Sequence, residues 1–216
     1  MQRLLAARGI DPATAHDPEA GGPSRDALND ALALADARIP PRFRGAVADH
    51  PDVTAWVDRV RAEATRGPGG RPGVATGPSL LIAGPTGTGK THQAYGALRS
   101  LLLAGVRLGW QATTAADLHA NLRPRAGHDT EGELRRIART PLLILDDLGA
   151  AKPSEWTEEL TYRLVNHRYE HLLPTLFTTN LPIAAIRETL GDRITSRLAE
   201  MTQRAILDGP DRRRTT

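Results

Sequence analysis

The chain has 216 residues, 40% hydrophobic and only 4% aromatic, which suits one α/β domain with a modest extension and a core of Leu, Ile, Val and Ala. Cysteine is absent, which excludes disulfides and thiolate zinc sites and fits a reducing compartment. The net charge of +3 is too mild to imply a partner; no apolar run reaches membrane-spanning length and Met1–Ile10 lacks a signal-peptide core, so the expected location is cytoplasmic, with no membrane partner.

Residues 1–38 read as a short helical or partly disordered N-terminal extension with two weak helical signals. The second has Ser24 as N-cap and Leu28, Leu32 and Leu34 on a partly apolar face. Residues 39–78 follow as linker, helix and flexible loop. Prolines in Ile39-Pro40-Pro41-Arg42-Phe43-Arg44 predict an extended linker, Val53, Val57, Val60 and Ala64 a helix over 51–65, and Gly and Pro over 66–78 a mobile loop. From residue 79 strands and helices alternate, which predicts a parallel sheet. The expected strands are Leu80–Ala83, Arg107–Thr113, Leu142–Leu145, Thr175–Thr178 and a weak Ala205–Leu207. The helices between them start at Lys90, at capping-box patterns from Thr114 and Thr130, and at Ser154, with two pieces split near Gly191 at the end. With Gly84–Thr91 fitting G-x-x-x-x-G-K-[ST] between the first strand and its helix, the expected fold class is α/β, a P-loop NTPase three-layer sandwich.

The chemistry starts at Gly84-Pro85-Thr86-Gly87-Thr88-Gly89-Lys90-Thr91, which fits the G-x-x-x-x-G-K-[ST] phosphate loop between a buried strand and an amphipathic helix. Glycines turn backbone N–H groups toward phosphate, and the helix start adds its positive dipole end. Lys90 supplies charge to the β- and γ-phosphates, and the Thr91 hydroxyl can bind Mg²⁺. These eight residues are the expected nucleoside-triphosphate site.

Leu142–Leu145 delivers Asp146 and Asp147 to the same sheet edge. Asp146 is expected to hold Mg²⁺ with Thr91, and Asp147 to stand where a water-activating glutamate is usual, one methylene short of it. Asn180, after the fourth strand, is in place to reach the γ-phosphate or the attacking water. Arg193 and Arg197 lie four apart on one helical face, a spacing that suits an arginine finger for a neighbouring subunit or a solvated surface pair. Arg123, Arg125, Arg135, Arg136 and Arg139 cluster in one stretch, as phosphate-backbone contacts or as a charged face.

Gly84–Thr91, Leu142–Gly149, Thr179-Asn180-Leu181 and Leu190–Leu198 together resemble the DnaC/DnaI helicase loaders and IstB-type transposition helpers of the AAA+ ATPases, over roughly residues 39–213. The resemblance implies an AAA+/ASCE core over 79–216 that uses ATP. It implies catalytic roles for Lys90, Asp146, Asp147, Asn180 (sensor 1) and Arg193, with Arg197 beside the last. Arg213 falls where the group carries its sensor 2 and becomes a nucleotide-binding candidate. Further implications are a homo-oligomer whose arginine finger acts in trans, single-stranded DNA near the arginines of residues 114–139, and a replicative helicase or a transposase as protein partner. A slow or non-hydrolysing nucleotide-gated adaptor remains open beside these.

Overall fold

The structure, a computed structural model, describes residues 25–66, 72–150 and 154–211. Expectations for Ser24, for 67–71 of the Gly/Pro loop and for Arg213 lie outside the described residues.

Five parallel strands form the sheet: β3 (Ser79–Ala83), β4 (Trp110–Thr114), β5 (Leu142–Asp146), β6 (Thr175–Thr179) and β7 (Thr202–Ile206), in the order β4-β5-β6-β3-β7. The three central strands are buried along almost their whole length because both faces are covered, with only Asp146 at the end of β5 partly exposed. Side chains alternate across the sheet, so Leu80, Ile82, Leu142, Ile144 and Leu176 join one core. Leu81, Leu143, Leu145 and Phe177 join the other.

Helices α1 (Arg25–Arg38), α2 (Pro51–Glu63) and α3 (Lys90–Leu103) cover the first face. The second is covered by α4 (Ala115–Asn121), α5 (Thr130–Ala138), α6 (Glu155–Glu170) and α7 (Ile186–Met201). This is the expected three-layer sandwich. Among the described residues no helix is long and apolar enough to cross a membrane.

Several local expectations need correction. In α1 the packed stripe is Leu32, Ala35 and Ile39, while Leu34 is 73% exposed. Leu34 sits about 200° round the helix from Leu32 at 100° per residue, so both cannot face the core. The expected extended linker forms a 3-10 turn at Pro41–Phe43, since Pro41 suits the first helical position where no N–H is needed. The Gly/Pro stretch holds a short antiparallel pair, β1 (Thr65–Arg66) with β2 (Pro72–Gly73). Arg107 pairs with that hairpin, through Arg107 N–H to Pro72 O at 2.8 Å, so β4 starts only at Trp110. Helix α5 is capped by Asp129, whose carboxylate accepts from Gly132 N–H, one residue before the expected cap at Thr130.

Strand β6 lies between β3 and β5. The turns after these three strands therefore open side by side on one sheet edge, which brings the phosphate loop, Asp146-Asp147 and Asn180 together.

Candidate active site

Between β3 and α3 the loop turns on Gly87 and Gly89, with φ of 87° and 98°, a left-handed backbone that other residues adopt at a cost. Gly89 is the N-cap of α3, so the loop feeds straight into the helix dipole. Lys90 is buried, and its Nζ donates to Gly84 O and Pro85 O, both at 2.8 Å. Thr88 Oγ1 donates to Pro85 O at 2.9 Å and closes the turn.

Thr91 Oγ1 lies 3.0 and 3.1 Å from the two carboxylate oxygens of Asp146, with Thr178 Oγ1 donating to the same carboxylate from β6. Burial holds the Asp146 carboxyl above the usual range, and the neighbouring charge of Asp147 adds to this; the hydroxyls of Thr178 and Thr91 and the ammonium of Lys90 act against it. Asp147 has φ 54°, and its N–H donates to Thr178 Oγ1 at 2.9 Å. Asn180 Nδ2 donates to Asp147 Oδ1 at 3.1 Å.

These groups bound an open cleft of about 510 Å³, lined by Thr86, Gly87, Gly89, Lys90, Thr91, Asp147 and Asn180. Arg42, Phe43 and His92 complete the lining, and sequence reasoning did not find them. Phe43 stacks on Tyr95 of α3, ring centroids 5.2 Å apart. The chain then runs along α3: Asp49 and His50 N–H donate to Gln93 Oε1 at 3.1 and 3.2 Å. Gly96 permits this approach, since a Cβ there would stand 2.4 Å from Ala48 N. The available signal was Phe43 itself, one of two phenylalanines in the chain, placed beside two prolines that stop a helix.

Arg193 and Arg197 are on α7 and do not line this cleft. Arg193 is exposed and reaches Glu159 at 3.5 Å. Arg123, Arg125, Arg135, Arg136 and Arg139 are all exposed, with Arg136 held in a two-point contact by Glu133.

ATP and Mg²⁺ fit these residues. The cleft wall carries the loop backbone at Thr86, Gly87 and Gly89 and the Lys90 side chain, groups that suit an anionic phosphate chain. A hydroxyl and a carboxylate, hard oxygen donors of the kind Mg²⁺ takes, already meet at Thr91 and Asp146.

The strand order, the phosphate loop and the polar ends of β5 and β6 define a P-loop protein of the AAA+ class. The sequence pattern of the IstB-like ATP binding protein family matches residues 74–208, and the chain belongs to that family. It is 27% identical over 123 residues to the replicative helicase loader DnaC of Escherichia coli (strain K12), covering 56% of this chain and 49% of that one. It is 31% identical over 120 residues to the ATP-binding protein of insertion sequence IS5376 from Geobacillus stearothermophilus, covering 54% and 45%. The crystal structure of the DnaC helicase loader matches with a TM-score of 0.64 at 26% identity, over 78% of this chain and 100% of that chain. The chain spans about half the length of the curated relatives it matches.

Proposed function

We propose that the chain is an ATPase switch that binds ATP with Mg²⁺, hydrolyses it in an assembly of its own copies on single-stranded DNA, and loads or remodels a replicative helicase. The observation that carries this is the pair of contacts at the loop mouth, Thr91 with Asp146 and Asn180 with Asp147. Residues 79–216 serve as the ATPase core, with α1 packed against it.

In this reading Gly84–Thr91 hold the triphosphate, and the Lys90 charge, fixed at the loop by two carbonyls, faces the β- and γ-phosphates. Thr91 and Asp146 would hold Mg²⁺, which would supply positive charge beside the phosphate oxygens. Asp147 takes the proton of the attacking water, and Asn180 keeps that carboxylate aimed. Arg213 contacts the nucleotide. Arg193, remote from its own cleft, supplies charge to the γ-phosphate in a second copy, with Arg197 beside it. The exposed arginines of α5 and the preceding loop meet the DNA backbone.

A transposase in place of the helicase is the second reading, favoured by the insertion-sequence relative at 31% identity. Steady-state ATP hydrolysis with and without single-stranded DNA tests the first part. Turnover that disappears in Lys90→Ala supports it, whereas ATP binding with no turnover under any condition makes the chain a nucleotide-gated adaptor. Copurification with the replicative helicase, or with a transposase, decides the partner.

A further inference from the structure

Arg193 and Arg197 share a platform on the neighbouring helix. Tyr162, on α6, is partly buried against the second core. The guanidinium carbon of Arg193 lies 4.3 Å from the centroid of that ring, and that of Arg197 lies 5.0 Å away. Arg197 is further pinned, with Nη2 donating to the Tyr162 hydroxyl at 3.2 Å and Nε to Asn166 Oδ1 at 2.5 Å. Helix α7 is broken at Gly191, φ 79° and ψ 163°, so Arg193 sits in the first turn after the break, and its side-chain contacts, to Tyr162 and Glu159, both come from α6.

The kind of support matters. A ring face attracts the cation without consuming N–H donors, so the planar donor fork of Arg193 stays available to an incoming anion. A carboxylate would compete with that anion. The Glu159 contact, at 3.5 Å between two side chains that are each more than half exposed, is the weak kind of pair that an incoming phosphate displaces. An unsupported arginine would lose rotamer freedom on meeting its target, and the ring removes that freedom in advance.

We propose that Tyr162 is the positioning residue for Arg193, holding the guanidinium ready for the γ-phosphate bound by a second copy of this chain. The proposal rests on the reading that Arg193 acts in trans.

The experiment mixes full-length variants so that one kind of interface can work. Arg193→Ala keeps an intact nucleotide site and accepts an arginine; Lys90→Ala has no working site and donates one. ATP turnover of the mixture above that of either chain alone reports the trans arginine. Adding Tyr162→Leu to the donor is expected to lower this turnover about two- to thirtyfold, the range of a cation–π contact. Tyr162→Phe in the donor, which keeps the ring, is expected to retain most of it. Tyr162→Leu placed in the acceptor, whose arginine is already gone, is expected to leave turnover unaffected.

Equal losses from donor and acceptor would make Tyr162 a purely structural residue and overturn the proposal, as would no loss from the donor. If Lys90→Ala and Arg193→Ala fail to complement at all, the trans reading of Arg193 is wrong and the role of Tyr162 falls with it. Nucleotide affinity of Tyr162→Leu alone, measured by titration with a fluorescent ATP analogue, is expected to match the wild type.

Discussion

Asn180 donates to Asp147 across 3.1 Å, from the end of one strand to the turn after its neighbour. Asp147 holds φ 54°, a left-handed backbone that Asp tolerates better than most side chains. The backbone at Asp147 and the side chain of Asn180 thus set the two polar groups side by side. Asp147→Asn keeps the size and the tolerance for this backbone while removing the carboxylate proposed as the base. It is expected to lower ATP turnover by about 10²–10⁴-fold and to leave nucleotide affinity within a few fold, as read by kinetics and titration. Asn180→Ala is expected to lower turnover less, because it removes the aim and not the base.

The approach of residues 47–48 to α3 depends on Gly96, where a Cβ would stand 2.4 Å from Ala48 N. Gly96→Val forces the segment away and with it Arg42 and Phe43, which wall the cleft. The expected results are a loss of about 1–3 kcal/mol in denaturant unfolding and weaker nucleotide binding. Unchanged affinity in a destabilised variant would show that the wall does not touch the nucleotide.

Arg168 is fully buried, and burial lowers its guanidinium to about 9, which leaves it charged at neutral pH. Its donors reach Thr175 Oγ1, Ala138 O, Thr140 O and Pro174 O at 2.6 to 2.9 Å, tying the end of α6 to the entries of β5 and β6. Arg168→Ala strands four acceptors beside a cavity and is expected to cost about 3–5 kcal/mol in denaturant unfolding. Arg168→Lys, with a single ammonium, recovers only part of this.

His119 sets a pH dependence. Its Nε2 lies 2.9 Å from Thr161 Oγ1, its Nδ1 is buried without a partner, and burial lowers its pKa. The unfolded chain therefore takes a proton in the ordinary imidazole range that the folded chain refuses. This contribution to stability is full above that range and is lost as pH falls through it. His119→Gln is expected to melt below the wild type at pH 7.5, with the gap narrowing by pH 5.5; a constant gap would falsify the assignment.

The residues that meet at the candidate site were legible in the chain itself. A strand-glycine-lysine pattern, an apolar strand ending in Asp146-Asp147 and Asn180 after another strand are local signals, because backbone conformation and phosphate recognition depend on neighbours in sequence. The alternation of strands and helices also sufficed for the three-layer class. What the sequence could not order was the sheet. The place of β6 between β3 and β5 depends on pairings between strands about 30 and 95 residues apart, and that order alone sets Asn180 beside Asp147. The same holds for Phe43, whose approach depends on a missing Cβ at Gly96, and for Tyr162 beneath two arginines. Each is a contact between distant segments, decided by how helices pack on the sheet.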